Sequence, residues 1–266
     1  MTRGATVDRD NLEGESKMVA NMKERTNGAK TAEADVDAAE SAIEVPQDVE
    51  EKAAYFMDNY VSFLKEHTEA YVNRMANLKA RMADRKADGA IAELGEPITR
   101  LGYQYWNVLT VGPIQFFGDP PWRPSKIIAA GELALILGVV WINPAADPGG
   151  GVPGTVVLGG RNYRIRFETI NLTNVTNGPD ATFTGTFPAV PGIQLFPWFF
   201  VPGNPGSNPN LFQTRLTADI TNVAQPFAAF GTWHWDLDNE PGFLGLPTQR
   251  AQFEHDIPCE YLVYRK

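Results

Sequence analysis

The chain changes character near Pro97, and any fold must accommodate two unlike halves. Of its 55 acidic and basic residues (32 and 23), 33 lie in residues 1–96 and 22 in the remaining 170. Nineteen of the 20 prolines, 24 of the 29 aromatics and all six tryptophans follow Glu96. Proline removes a backbone donor and breaks helices, so the second half favours short strands and turns. The first half lacks the apolar content for a sheet core but has the Ala, Glu and Lys that favour helices. The expectation is a charged helical arm joined to an all-β body.

Three segments follow from this. Residues 1–45 have no aromatic side chain and few large aliphatics, and are expected to remain a disordered acidic tail. Residues 46–96 form a helical arm. After Pro46, Asp48 with Glu51 approximates a capping box, and Asp88-Gly89 gives a stop. Between them Val49, Ala53, Phe56, Tyr60, Phe63, Leu64, His67, Tyr71, Met75, Leu78 and Met82 recur at steps of mostly three or four. That spacing lines one face of a helix of about 40 residues and about 60 Å. A seam of that length needs cover: a second copy, a helical partner, or the flank of the body itself. Self-association or docking is the preferred reading, with Phe56, Tyr60, Phe63 and Tyr71 as interface residues.

Residues 97–266 read as an antiparallel β-sandwich, Ig-like or jelly-roll, of eight to ten strands. Expected strands include 125–130, 133–143, 154–158, 162–171, 181–187, 193–201, 210–222, 227–236 and 249–265. Alternation is clear where Tyr163, Ile165 and Phe167 oppose Arg164, Arg166 and Glu168, and where Leu216, Ala218 and Ile220 oppose Arg215, Thr217 and Asp219. The run Ile127 to Ile142 is apolar enough to be weighed as a membrane segment. Its 16 residues fall short of the roughly 20 that span a bilayer, and Gly131-Glu132 reads as a turn between two buried strands.

The net charge of −9 divides into −7 for residues 1–96 and −2 for the body, and no basic run offers a phosphate-binding face. No nucleic-acid partner is expected. The lone Cys259 excludes an intramolecular disulfide, and residues 1–17 show no apolar leader, so a cytoplasmic or assembled-particle location is expected, with leaderless export compatible.

No GxxxxGK, HExxH or GxSxG motif is present. One GxGxxG match, at Gly149, Gly151 and Gly154, reads as a plain glycine loop because Pro153 interrupts it. His67 reads as a packed residue, Cys259 as a buried unactivated thiol, and Arg161, Arg164 and Arg166 as a polar sheet face. The polar constellation with most chemistry is TWHWDLDNE at 232–240. In a strand His234, Asp236 and Asp238 share one face, an oxygen-dominated set suited to Ca²⁺, while Trp233 and Trp235 share the other. The run LFPWFFV at 195–201 carries Trp198, Phe199 and Phe200 on both of its faces, and Pro197 marks it as an edge or a bulged strand.

The function expected is a non-enzymatic structural or assembly subunit without a cofactor. It associates through its helix with itself or a helical partner and presents the sandwich as a binding or packing surface. The alternatives are a carbohydrate- or calcium-dependent binding module, a metal-dependent jelly-roll enzyme with His234, His255 and a carboxylate as ligands, and a membrane-active protein.

Overall fold

The computed structural model describes residues 43–87, 105–146, 151–221, 227–234 and 258–266. The tail expected over 1–45 lies, up to residue 42, outside the described residues. Helix α1 spans Gln47–Ala87. It begins directly after Pro46, two residues before the Val49 start that a cap at Asp48 implies. The Pro46 carbonyl accepts from the Val49 and Glu50 amides, and Asp48 sits in the first turn beside Lys52 at 3.4 Å.

Eleven strands follow within the described residues. Strands β1 (Trp106–Ile114), β3 (Ala134–Ile142), β7 (Ile193–Phe200) and β10 (Thr232–His234) form a four-stranded sheet in the order β10-β1-β3-β7. Strands β2 (Ile127–Ala129), β4 (Asn162–Asn171), β5 (Thr176–Asn177), β6 (Ala181–Thr186), β8 (Asn210–Thr221), β9 (Phe227–Phe230) and β11 (Cys259–Tyr264) form a seven-stranded sheet. Its main path is β2-β11-β8-β4-β5, with β6 on β4 and β9 on β8. Pairing is antiparallel except for β1–β10 and β2–β11. The protein is therefore mainly β, a sandwich preceded by a long helix.

Each sheet directs one set of side chains into a shared core. Val108, Ile136, Val140, Phe196, Trp198 and Phe200 of the smaller sheet meet Tyr163, Ile165, Phe167, Leu216, Ala218 and Tyr261 of the larger. The other face of the smaller sheet is also buried. Ala53, Phe56, Tyr60, Leu64, Tyr71 and Met75 of α1 pack on Leu109, Val111, Leu135, Leu137, Val139 and Trp141. The architecture is thus three layers: helix, four-stranded sheet, seven-stranded sheet.

Of the covers open to the seam, the chain takes the flank of its own body. The seam from Ala53 to Met75 is covered by the chain's own sheet. Burying a large apolar side chain stabilises by roughly 1.5–3 kcal/mol, so the four large residues Phe56, Leu64, Tyr71 and Met75 already make docking strongly favourable. Two hydrogen bonds fix the placement: Trp141 Nε1 donates to Thr68 Oγ1 at 2.9 Å, and Asn143 Nδ2 donates to the Tyr71 hydroxyl at 3.2 Å.

Three strand expectations change. The sequence 154–158 forms a short helix, α2 (Gly154–Leu158), despite its β-branched valines. Gly154 lies against the Tyr105 and Asn143 backbone carbonyls, where a Cβ would collide, so this glycine serves close packing. The expected strand 227–236 divides at Gly231: β9 pairs with β8 of one sheet, and β10 pairs with β1 of the other. Of the expected strand 249–265, residues 259–264 are β11, while 249–257 lie outside the described residues. The turn at Gly131-Glu132 does separate two strands, but they enter different sheets.

Gly231 is squeezed between the sheets where the chain crosses. A Cβ there would strike Thr110 Oγ1 and come within 2.9 Å of Leu216 Cβ. Overpacking of a tight interior costs about 1–3 kcal/mol. Gly231→Val should therefore lower the urea midpoint at unchanged m-value, and an unaltered midpoint would show that the crossing tolerates a side chain.

Candidate functional site

Among the described residues, a recess lies between the first half of α1 and the loop that follows β1. It encloses about 410 Å³ and is lined by Tyr55, Phe56, Asn59, Tyr60 and Phe63 from the helix, with Pro120, Pro121, Trp122, Arg123 and Pro124 opposite. The helix presents these side chains because positions 55, 56, 59, 60 and 63 share one side at helical spacing. Phe56 and Tyr60 reach down to the sheet, while Tyr55 remains nearly half exposed at 46%. The loop is stiffened by its prolines, whose rings fix φ.

Trp122 is the centre of this wall. Its ring meets Tyr55 edge-on at 6.0 Å and 89°, and Phe116 at 5.5 Å and 77°. Its Nε1 donates to the Gly118 carbonyl at 3.3 Å, so the indole offers the recess its ring rather than a donor. The result is an aromatic corner, with Asn59 and Arg123 as the polar groups in the lining. Such a corner accepts flat or ring-shaped partners through C–H and π contacts.

Among the residues singled out from sequence, Phe56, Tyr60 and Phe63 contribute to this recess as well as to the helix–sheet layer. Tyr71 does not; it is buried against Trp141, ring to ring at 5.5 Å and 84°. Trp198 and Phe200 point into the core between the sheets and stack at 4.8 Å, so neither can serve as a ligand platform. Phe199, on the opposite side of β7, is half-buried beside the helix–sheet cluster. Among the described residues β7 is an edge strand, one of the two readings Pro197 left open, and α1 helps to cover its second aromatic face.

The 232–240 constellation is only partly placed. Trp233 and His234 lie on β10 by backbone, paired with Thr110 and Val111 of β1. Trp235, Asp236 and Asp238 lie outside the described residues, as does His255. Among the described residues, no group of three or more His, Cys, Asp or Glu side chains is arranged to hold a metal ion. Among the described residues, no helix is long and apolar enough to cross a membrane.

The remaining candidates have internal partners. His67 Nδ1 donates to the Phe63 carbonyl at 2.9 Å, with its ring 4.1 Å from that of Phe63. Arg164 holds Asp219 at 2.8 Å, while Arg166 reaches Asp219 at 3.5 Å and Glu168 at 3.6 Å. The Arg164–Asp219 and Arg166–Asp219 pairs cross from β4 to β8, while Arg166–Glu168 lies along β4, all on the outer sheet face. Asn171 is buried, and its Oδ1 accepts from the Thr173 and Asn174 amides, which holds the turn. Trp122 and Tyr55 were not singled out from sequence; the signal available was PPWRP, a tryptophan fixed between prolines.

No family model matches the chain, and no curated protein matches it. Among solved structures, the CARDB domain of a Pyrococcus furiosus protein in complex with di-metal ions is similar over 52% of this chain and 100% of its own. The identity is 12% and the TM-score 0.25. The sporulation control protein Spo0M from Bacillus subtilis is similar over 50% of this chain, with 11% identity and a TM-score of 0.23. The match spans about half (51%) of the Spo0M chain. Overlaps this loose carry no argument about fold or function.

Cys259 is 1% exposed, and its thiol donates to the Gly112 carbonyl at 3.4 Å. Burial, then the neighbouring Glu260 charge, pushes its pKa well up. Tyr261 is raised too, mainly by burial. A raised folded-state pKa favours the protonated form. Stability is therefore intact below the ordinary thiol value of about 8.5 and declines as pH climbs from there toward the folded-state value. Urea unfolding should show a plateau to about pH 8 and a fall beyond it, flattened initially in Cys259→Ala. The native thiol should resist iodoacetamide at pH 8; rapid native-state alkylation would contradict the burial.

Proposed function

We propose that the protein is a non-enzymatic structural or assembly subunit, working without a cofactor, that associates with a second copy through the end of α1. The observation that carries this reading is that every described side chain of the helix beyond Met75 is exposed. Met75 is the last buried α1 residue among those whose side chains are described. The helix continues for 12 residues to Ala87, about 18 Å. Along it Ala76, Asn77, Lys79, Ala80, Arg81, Ala83 and Asp84 are exposed. Isolated helical turns are marginal in water, so a helix end with this exposure gains from a partner. The sequence steps Met75, Leu78, Met82 continue the apolar spacing into it.

Sedimentation velocity across a concentration series tests this. The full chain should sediment as a dimer or larger species, and the Leu78→Ser, Met82→Ser variant should shift toward monomer. A wild-type chain that stays monomeric at tens of micromolar overturns the proposal.

The aromatic corner favours a second reading, a binding module for ring-shaped ligands such as sugars, using Tyr55 and Trp122 rather than Trp198. Titration of a glycan panel should change tryptophan fluorescence and raise Tm, with both responses lost in Trp122→Ala. No response across the panel removes this reading.

A further inference from the structure

Helix α1 is divided by charge as well as by cover. From Gln47 to Asn73 it carries six acids (Asp48, Glu50, Glu51, Asp58, Glu66, Glu69) and two lysines, a net −4. From Arg74 to Ala87 it carries five basic residues and one acid, a net +4 in a chain of −9 overall. The six acids are exposed, as are Lys79 and Arg81.

The helix macrodipole accounts for only part of this pattern. It favours acids at the start and bases at the end, but its influence falls off within the first and last turns. Asp58, Glu66 and Glu69 lie three or more turns from Gln47, and Lys79 lies about two turns from Ala87, by 3.6 residues per turn. A polarity that runs the whole length suits a partner lying along the helix in the opposite direction.

We infer that the partner is a second copy of α1, antiparallel to the first, so that the basic overhang of each copy lies along the exposed acidic half of the other. This inference rests on the self-association proposed above and specifies its geometry. A two-fold axis near residue 67, the midpoint of Gln47 and Ala87, generates the contact twice. In that arrangement Lys79 falls opposite the stretch between Glu51 and Asp58. A parallel pair would instead set +4 against +4 and −4 against −4. Opposed charges of this kind also fix register and discriminate against wrong partners.

A charge-swap experiment on the full chain tests the geometry. One variant carries Lys79→Glu and Arg81→Glu, the other Glu51→Lys and Asp58→Lys. Each alone should associate at least tenfold more weakly than wild type, because the swapped positions then face like charges in both symmetry-related contacts. A one-to-one mixture should regain the wild-type dimer. Circular dichroism and thermal melts of each variant confirm that α1 stays folded. Single variants that associate as tightly as wild type overturn the antiparallel pairing while leaving self-association standing. A monomeric wild-type chain overturns both.

Discussion

The structure depends on burying both faces of one small sheet. Every residue of β3, from Ala134 to Ile142, is buried. The seven-stranded sheet takes one face and α1 the other, so neither cover can leave without exposing a continuous apolar surface. Gly138 allows this closeness: a Cβ there would come within 2.8 Å of the Phe167 ring. Trp141, on the opposite side of the strand, spends its one donor on Thr68 of the helix. The charged arm and the apolar body are therefore layers of one packed unit from Gln47 to Met75, although their compositions differ so sharply.

Double-sided burial also explains which features were legible in the sequence. β4 and β8 have one wet face, so the alternation of Tyr163, Ile165 and Phe167 with charged residues could be read directly. β3 has no wet face, so its pattern resembles a membrane segment and carries no sign of what covers it. The helical seam and the two-faced aromatic edge at Phe196 to Phe200 were each recognisable alone. Their mutual cover was not, because pairing between elements is a tertiary property that periodicity does not encode. The helix at Gly154 to Leu158 escaped notice because two valines within five residues outweigh helix spacing in so short a run. The division of 227–236 at Gly231 was hidden for another reason: a strand that changes sheets keeps the same local pattern on either side.

The recess shows the same limit. Phe56, Tyr60 and Phe63 were picked as an external seam, yet each serves both the interior layer and the groove wall. Trp122 completes that wall from a loop more than fifty residues away, where the sequence offers only a tryptophan among prolines. The arginines of β4 behave as the polar sheet face that their alternation implies, with Arg164 paired to Asp219 across to β8 and Arg166 to Glu168 along the strand.

The separation between α1 and its cover has a consequence for synthesis. Thr68 and its partner Trp141 are 73 residues apart, and the helix is translated first. At about 5–20 residues per second, the ribosome needs roughly 4–15 s to reach Trp141 after adding Thr68. Through that interval Phe56, Tyr60, Leu64 and Tyr71 have no sheet to lie on. The nascent chain thus presents an aromatic stripe to the cell before it presents a fold, and holding factors that bind such stripes have their opening then.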